Sequence, residues 1–554
     1  MEPGQRSPQK PGQPLQSDAL LPAEPEAAAG DGTSRARVAV EMAVVFAALL
    51  SILLAASSSF GLAWDEVTYF DYADSIRAWW RSGAPLNEAA LARAWAYDTY
   101  SNPHPPLMKI VGALGRPMAS RWLPFPTDYR FGHLVWVSGC LSAAWLLLRG
   151  RFGALAATTA VAFVALQPRM FGHLLIAATD SPVALAWLLL ALLAWRLAKA
   201  TPGRARTGLW LGFFVVAGCA AATKFTGLLA LLPMTVWFAW RRRWADAALA
   251  AAAGVWGIAF MVATSPQLWH HPLRGALEYL SYPLSRQATP FTTAYFGHLY
   301  RNDLPWHYFA VMSVVTMTPL LLPLLPAAGL VRGELRDALG PAAAGLAFWL
   351  VLVHLPKTPR HDEVRQFLSV FPLLGLVAWG GLLVLLARVG ERWQPRKRSA
   401  FVVAGCVASM LALAVTVARA HPFELSYYNA LIGGVRGAER RGMELSLYLE
   451  AIDRATLASL DRHARPGETL FMSPYWPKLL QAYIDHDLLH VPLLVLPQEP
   501  GARPDWMLLV RRRYVIDDAL FVALPAVHEV RYDGVSLVKL VRTADIRGGR
   551  KARP

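Results

Sequence analysis

The apolar residues of this chain fall into continuous blocks between Val38 and Ala420, separated by short polar segments. Each block is about 16–24 residues long, enough for a helix to cross a hydrocarbon core of about 30 Å. Strands of a membrane barrel would instead alternate apolar and polar positions. The pattern predicts an all-α polytopic membrane protein with about 11 transmembrane helices, at 38–60, 131–148, 153–168, 181–197, 208–223, 226–240, 246–264, 308–331, 341–356, 366–387 and 399–419.

Basic residues cluster on one side of these blocks. With the N-terminus in the cytoplasm, every inward loop is short and carries two to five Lys or Arg residues. This pattern is the usual signature of cytoplasmic loops, and it places the C-terminal region outside. The net charge of +16 therefore reflects topology, and we expect no nucleic-acid partner. The inward loops are "RGR" at 149–151, "RLAKATPGRAR" at 196–206, "RRR" at 241–243, "RGELR" at 332–336 and "RVGERWQPRKR" at 388–398.

Composition divides the chain into three parts. Residues 1–34 are rich in Pro, Gln, Ala and Glu and predict a disordered cytoplasmic tail. Residues 35–420 form the transmembrane domain, with long outward loops at 61–130 and 265–307. The first block could be a signal peptide, but its length and the long tail before it favour a retained helix. Residues 421–554 predict a small extracytoplasmic α/β domain, with β-like runs such as "WMLLVRRRYVI" and a helix-like run at 444–463.

Two adjacent acids, Asp65 and Glu66, follow the first block in "GLAWDEVTYFDYADSIRAWW". Acids at the edge of a membrane helix have a simple explanation, as a solvated loop edge or a helix N-terminus that favours negative charge, and a functional role is the alternative. The three cysteines all lie inside apolar blocks, so no disulfide framework or cysteine metal site is expected. The other outward motifs decide between these readings of the pair.

Two more outward motifs combine cations with an acid. In "SNPHPPLMKI", prolines hold His104 and Lys109 close to the membrane, where the lysine could meet a phosphate or extend to the interface. In "QPRMFGHLLIAATDSP", Arg169 precedes Asp180. Asp180 could simply cap the next helix, yet an acid so close to the hydrocarbon is a functional candidate.

The last two motifs add further cations. Lys224 in "ATKFTG" lies between two apolar blocks, where it needs water, an anion or a carboxylate. "HLPKTPRHDEVRQFLSVFP" brings Arg360 and Arg365 to the start of a late span, and arginine suits bidentate phosphate contacts. All five motifs face outward, so carboxylates and cations converge at one membrane face. That set suits chemistry on a lipid-borne phosphate, in which a carboxylate takes a proton from an incoming hydroxyl or amine.

Taken in order, these motifs resemble the polytopic GT-C glycosyltransferases, specifically the dolichyl-phosphate-mannose protein mannosyltransferase type (glycosyltransferase 39) and its bacterial relatives, including the aminoarabinose transferases of lipid A. "WDEVTYFDYA" resembles the acidic motif of the first outward loop, and "HPPLMK" resembles the His-Pro-Pro-Leu-x-Lys element. "PRMFGHLLIAATDSP" and "RQFLSVFP" are similar to two later motifs, although Ser369-Val370 stands where a proline is expected. The resemblance covers roughly residues 38–420, and "HPFELSYYNALIGG" is similar to members with an outward C-terminal domain.

The resemblance implies an inverting sugar transfer from a polyprenyl-monophosphate-sugar donor, at the outer face of the cell inner (plasma) membrane. It implies Asp65 as general base with Glu66 as positioning partner, and Asp180 as a second acid. His104, Lys109, Arg169 and Arg365 would bind the donor, whereas Lys224 and Arg360 are candidates from their own chemistry alone. No cofactor is certain. A divalent metal is conceivable, since Asp65, His104 and Asp180 could converge, but no ligand spacing indicates one.

Two other classes compete with this prediction. A polytopic transporter or flippase of a lipid-linked or anionic substrate would carry charges mid-span and paired breaks in its helices, and few such charges are present. A sensor would not need acids and bases on three separate outward loops. The expected partners are the lipid-linked donor, membrane lipid and an acceptor protein or glycolipid; the sequence leaves the sugar and the acceptor open.

Overall fold

The structure is a computed structural model that describes residues 32–95, 104–285, 292–301, 303–355, 358, 360, 362–496 and 504–548. Helices dominate it, and a small sheet lies near the C-terminus, which confirms the predicted fold class. Residues 1–31 of the predicted tail lie outside the described residues. The helices up to residue 420 are α1 (Gly32–Ser57), α2 (Trp64–Arg81), α3 (Glu88–Trp95), α4 (Leu107–Ala119), α5 (Thr127–Ala165), α6 (Pro168–Leu175), α7 (Asp180–Lys199), α8 (Arg204–Ala221), α9 (Phe225–Leu229), α10 (Leu231–Trp240), α11 (Trp244–Ala263), α12 (Pro272–Ser285), α13 (Tyr308–Thr316), α14 (Leu324–Ala327), α15 (Gly333–Leu352), α16 (Val370–Gly390) and α17 (Pro395–Ala420).

The chain is a multi-pass membrane protein. Within the described residues, 7 helices are long and apolar enough to cross a membrane, namely α1, α5, α7, α11, α15, α16 and α17. The count is 8 if α13 and the segment Pro319–Leu330, bent by 110°, form one span. Helix α5 covers two predicted blocks. Its helical path is interrupted at Gly153 (φ 79°), where the second predicted block begins. Helices also occupy the other predicted blocks, and the number of 11 crossings stays a prediction.

Two helices form the centre of the membrane part. Within their most apolar stretches, 89% of α7 and 83% of α16 is buried, against 6% of α1. Both helices pack against α5, and α15 packs against each of them. Helix α7 begins at Asp180, and Arg365 lies in the 3-10 turn Arg365–Phe367 just before α16. The most enclosed helices therefore carry two predicted site residues at or just before their N-terminal ends.

A five-stranded mixed sheet forms the core of the C-terminal part. Its strand order is β4-β3-β5-β7-β6; β3 runs parallel to β4 and β5, and β7 runs antiparallel to β5 and β6. Strands β1 (Thr292–Tyr295) and β2 (His298–Arg301) form a separate hairpin within the predicted loop 265–307. The remaining elements are α18 (Gly434–Arg440), α19 (Arg454–His463), β3 (Thr469–Ser473), α20 (Pro477–Asp485), β4 (Leu494–Val495), β5 (Trp506–Val510), α21 (Asp518–Ala523), β6 (His528–Tyr532), β7 (Val535–Arg542) and α22 (Thr543–Gly548).

The predicted helix-like run at 444–463 is only half correct. Helix α19 begins at Arg454, and residues 443–452 are buried without forming a helix. Their apolar side chains pack against the membrane domain, which replaces the helical face that the sequence pattern suggested. This segment, residues 443–452, is called the buried arm below.

The buried arm packs tightly against the start of α2. The backbone N–H of Trp64 donates a 3.0 Å hydrogen bond to the carbonyl of Tyr448. A Cβ atom added at Gly61 would lie only 1.9 Å from the carbonyl oxygen of Glu450. Glycine at position 61 therefore permits the close approach of the two backbones, and this approach fixes the chain just before Asp65.

Gly61→Ala should separate the buried arm from α2, because the new methyl group would overlap backbone that cannot move away on its own. Overpacking of this kind costs at least about 1–3 kcal/mol. We expect a lower thermal unfolding midpoint in detergent and faster proteolytic release of the C-terminal part.

Gly139→Ala in α5 is the matched control, because its added Cβ would meet no heavy atom within 4 Å. Unfolding of both variants at the wild-type temperature would show that the contact at Gly61 does not hold the two parts together.

Candidate active site

Asp65 and Glu66 are adjacent in the first turn of α2, but they face different surroundings. Successive helical residues point about 100° apart, so only one of the two can face a given neighbour. The Asp65 side chain keeps 25% of its surface exposed, whereas that of Glu66 is completely buried. The two acids therefore have different environments and are suited to different tasks.

Glu66 is held in a buried ion pair with Arg130 of α5. The guanidinium donates two hydrogen bonds, of 2.6 and 2.7 Å, to the two carboxylate oxygens. Glu66 also accepts from the backbone N–H groups of Ala63 (2.9 Å) and Ala177 (2.8 Å). With four hydrogen bonds to its carboxylate, Glu66 of α2 joins α5, the connection between α1 and α2, and the loop before α7, which is the position of a structural residue.

Arg365 is the centre of the site. Its guanidinium contacts Asp65, lies 3.1 Å from a carboxylate oxygen of Asp180 and 3.4 Å from one of Asp362, and covers the ring of Tyr448 at 4.8 Å. Burial alone would lower the pKa of Arg365, but Asp65 and its other acidic neighbours raise it well above the ordinary value. Arg365 thus stays cationic, and it joins α2, α7 and the loop before α16 at one point.

Asp180 is shared between two cations. Lys224 lies in the short connection between α8 and α9, and its ammonium group is 2.6 Å from Asp180. The hydroxyl of Tyr448 lies 3.4 Å from the other carboxylate oxygen, which also faces Arg365. The structure therefore brings Asp65, Asp180, Lys224 and Arg365 together, and it adds Tyr448 from the C-terminal part.

The surroundings of Asp65 tune its basicity. Burial raises the pKa of the Asp65 carboxyl, and Arg365 acts in the opposite direction. A carboxylate with a raised pKa accepts a proton more readily when an acceptor hydroxyl attacks. Among the acids of the cluster, Asp65 combines this environment with partial exposure, which a general base needs.

Lys109 belongs to α4 and packs against α2. Its ammonium group donates a 2.7 Å hydrogen bond to the carbonyl of His104 and lies 5.6 and 5.3 Å from the rings of Tyr69 and Tyr72. Burial lowers the pKa of Lys109 to about 7. Residues 101–103 of the motif lie outside the described part of the chain, and the described portion places His104 beside Lys109.

Arg169 belongs to a neighbouring cluster. It is fully buried, pairs with Glu363, donates a 3.1 Å hydrogen bond to the carbonyl of Tyr427 and lies over the ring of Tyr428. The hydrogen bonds described for Asp65, Asp180 and Arg365 involve neither Arg169 nor Arg360, which is half-buried upstream of Asp362. His361, from the same motif, lies outside the described residues.

The suggested convergence of Asp65, His104 and Asp180 on a metal is not seen. Asp65 and Asp180 meet at Arg365, whose positive charge occupies the place that a metal would need. Among the residues that the structure describes, no group of three or more His, Cys, Asp or Glu could hold a metal ion.

Sequence reasoning missed Arg130, Tyr448 and Arg512. Arg130 had a detectable signal, because an arginine at the start of an apolar block requires a buried partner. Tyr448 lies in a run that predicts a helix, and Arg512 lies in a β-like run of the C-terminal part. Nothing in either pattern indicated that these two residues return to the membrane domain.

Glu66→Gln should destabilise the protein, because it leaves the buried Arg130 guanidinium without its counter-charge. Breaking one side of a buried ion pair costs about 3–5 kcal/mol. Thermal unfolding in detergent measures the loss. Glu66→Gln with wild-type stability but no turnover would instead make Glu66 a chemical participant.

Comparison with known proteins shows which family and which fold this chain resembles. Residues 126–270, which span α5 to α11, match the model of the family described as dolichyl-phosphate-mannose-protein mannosyltransferase. The crystal structure of ArnT from Cupriavidus metallidurans in the apo state has a TM-score of 0.50 at 15% identity, covering 91% of this chain and 99% of that one. ArnT from the same organism bound to undecaprenyl phosphate gives 0.52 at 15% identity, over 90% and 97%. No curated protein matches the sequence. The predicted resemblance to the GT-C glycosyltransferases is confirmed, and the fold is the one found in ArnT.

Proposed function

We propose that this protein transfers a sugar from a polyprenyl-monophosphate-sugar donor to an acceptor at the outer face of the cell inner membrane, with inversion. One observation carries the proposal: a partly exposed carboxylate, Asp65, lies against Arg365 at the outward ends of the most buried helices. The ArnT structure with bound undecaprenyl phosphate supports the donor class. The positive-inside loops support the orientation, with the N-terminus in the cytoplasm and the C-terminal domain outside.

The charges of the site suit a donor with one phosphate. Arg365 and Lys224 both face Asp180, so the arrangement holds two cations at one point without an external anion. A donor phosphate would draw Arg365 away from Asp65, since both anions need the same guanidinium. Binding of the donor would then release Asp65 for catalysis, and Arg169, His104, Lys109 and Arg360 remain candidates for outer donor contacts.

The reaction balances with these groups alone. The acceptor hydroxyl or amine gives its proton to Asp65 while its oxygen or nitrogen forms a bond to the anomeric carbon. The bond from that carbon to the phosphate oxygen breaks on the opposite side, which inverts the anomeric centre. The leaving polyprenyl phosphate gains negative charge, which Arg365 and Lys224 would stabilise more strongly in the transition state than in the donor.

An apolar groove descends from the site between α5, α7 and α8. It contains a cavity of about 100 Å³. On α7 it begins at Pro182, two residues after Asp180, and it reaches Leu189, about 10 Å further along the helix at 1.5 Å per residue. Thr223, the residue before Lys224, also lines it. We assign this groove to the polyprenyl chain of the donor, because it begins next to both phosphate-binding candidates and is lined by Trp136, Cys140, Pro182, Ala186, Leu189, Val215, Val216, Cys219, Ala220 and Thr223.

Asp65→Asn should remove the general base with little effect on folding, since the side chain is partly exposed. A positioned general base contributes about 10²–10⁴-fold to a rate. We expect kcat for transfer from a radiolabelled polyprenyl-phosphate sugar to fall by that factor, at unchanged expression and unfolding temperature.

Asp71→Asn is the control, because Asp71 lies on the same helix with its side chain largely exposed. Full turnover by Asp65→Asn would transfer the role of the base to Asp180. If the wild-type protein consumes no lipid-phosphate sugar with any acceptor but moves such lipids across a vesicle membrane, it is a transporter.

If transfer is observed, a panel of donor sugars and of protein and glycolipid acceptors identifies both substrates.

The native cysteines test the groove directly. Cys140 and Cys219 line it, whereas Cys406 is buried in α17 away from it. In a protein that retains only Cys219, undecaprenyl phosphate at ten times its Kd should slow modification by a lipophilic maleimide about tenfold.

Undecaprenol at the same concentration should protect less, since it lacks the phosphate that Arg365 and Lys224 would bind. A protein that retains only Cys406 reports non-specific effects of the lipid. Equal modification of Cys219 with and without undecaprenyl phosphate would remove the donor chain from this groove and leave the transfer assay to judge the reaction.

A further inference from the structure

Three consecutive arginines, Arg511, Arg512 and Arg513, follow strand β5 in the C-terminal domain. Arg511 pairs with Asp518 (2.7 Å) and Glu439 (2.5 Å), and Arg513 lies 3.1 Å from Asp518. The outer two arginines therefore serve the C-terminal domain itself, and Arg512 points the other way, toward the membrane domain.

Arg512 reaches the candidate site by several contacts. It is only 3% exposed, and its guanidinium lies 4.7 Å from the ring of Trp64, the residue before Asp65. It donates a 2.7 Å hydrogen bond to the carbonyl of Leu447, the residue before Tyr448. Its third partner is Asp362, at 3.4 Å. These contacts place a cation of the C-terminal domain beside Trp64, which precedes Asp65 in the chain, and beside Leu447, which precedes Tyr448.

Asp362 connects Arg512 with Arg365. One of its carboxylate oxygens lies 3.4 Å from Arg512 and the other lies 3.4 Å from Arg365. Asp362 and Glu363 have φ values of +57° and +54°, a backbone region that side-chain-bearing residues rarely adopt. The loop thus adopts an uncommon conformation at the point where the Asp362 carboxylate separates two arginines. The result is a chain of alternating charges: Asp65, Arg365, Asp362, Arg512.

We propose that Arg512 is a positioning residue of the transferase site, which takes up part of the Asp362 charge and thereby sets how firmly Arg365 holds Asp65. The inference rests on the proposed function for its consequence in catalysis. The electrostatic coupling of Arg512 to Asp65 through Asp362 and Arg365, called the charge relay below, can be measured without turnover. Through Arg512 the C-terminal domain would control the protonation of the base.

The sign of the effect follows from the charges. Without Arg512, Asp362 draws on Arg365 alone, the hold of Arg365 on Asp65 weakens, and the pKa of Asp65 rises. Without the Asp362 charge, the pKa of Asp65 falls, because Asp362 is one of the acids that raise it. Other charged or titratable groups facing Asp65 are Asp180, Lys224, Tyr69 and Tyr448; those facing Arg512 are Tyr514, Glu444, Glu363 and Glu450.

The test is the pH dependence of kcat/KM of the full-length protein, whose acidic limb reports the base in the free enzyme. We expect Arg512→Gln to move this limb upward by about half a unit to one unit, which is about a three- to tenfold loss of rate on the acidic side. Asp362→Asn should move the limb downward. In the Asp362→Asn background, Arg512→Gln should shift the acidic limb little or not at all, because the carboxylate charge that links Arg512 to Arg365 is already absent.

Two variants distinguish a positioning role of Arg512 from a role in protein stability alone. Arg512→Lys keeps the charge and should restore the limb toward the wild-type pH, even if the lost stacking on Trp64 lowers the unfolding temperature. Arg513→Gln removes a neighbouring arginine on the opposite face and should leave the limb in place. A wild-type limb in Arg512→Gln, or an equal shift with and without Asp362, overturns the proposal.

A second readout is independent of the reaction. Carbodiimides modify the protonated form of a carboxyl group, so the pH midpoint for labelling of the Asp65 peptide, followed by mass spectrometry, reports its pKa. Arg512→Gln should raise this midpoint and Asp362→Asn should lower it. If labelling shifts as expected while the wild-type protein transfers no sugar, the proposed function fails and the charge relay stands. Unshifted midpoints in both variants overturn the relay, whatever the transfer assay shows.

Discussion

The confinement of the Arg365 guanidinium among carboxylates is the constraint on which the outward half of this structure depends. Removing a guanidinium from water is costly unless anions and hydrogen-bond acceptors surround it. Here the carboxylates come from the start of α2, the start of α7 and the loop before α16, three places that are far apart in sequence. The charge of Arg365 therefore fixes the relative positions of these elements. In the proposed mechanism a donor phosphate would compete with these carboxylates for Arg365, so that donor binding and release of Asp65 would be coupled.

Two buried or half-buried arginines illustrate how charge can serve structure or chemistry. Arg130 and Glu66 satisfy each other with paired hydrogen bonds and are both fully enclosed, so neither is available to a substrate. Arg365 is shared among several partners at longer or uneven distances, and Asp65 stays partly exposed. A closed, bidentate pair resists exchange, whereas a shared cation can change partners at little cost. The difference between Glu66 and Asp65 thus arises from their partners, not from their position in the motif.

The sequence predicted the helical class, the multi-pass character and the convergence of Asp65, Asp180, Lys224 and Arg365, because hydrophobic length and the side on which the basic loops lie are local properties. It did not predict the pairing of Glu66 with Arg130, which lie 64 residues apart and meet only in the folded state. It wrongly predicted a helix throughout 444–463, since apolar spacing cannot distinguish a helical face from a buried extended segment. It grouped Arg169 with the other donor-binding candidates but did not predict the buried pair that this arginine forms with Glu363.

The buried arm and Arg512 change how the C-terminal domain should be regarded. The sheet lies apart from the candidate base, yet the domain contributes Tyr448 to Asp180 and a cation to Asp362. Van der Waals contacts vanish within about an ångström of separation, but the influence of a charge declines more slowly in a poorly hydrated site. A small displacement of the domain would therefore loosen the packing around α2 first, whereas the electrostatic effect of Arg512 on Asp362 and Arg365 would persist over a longer distance.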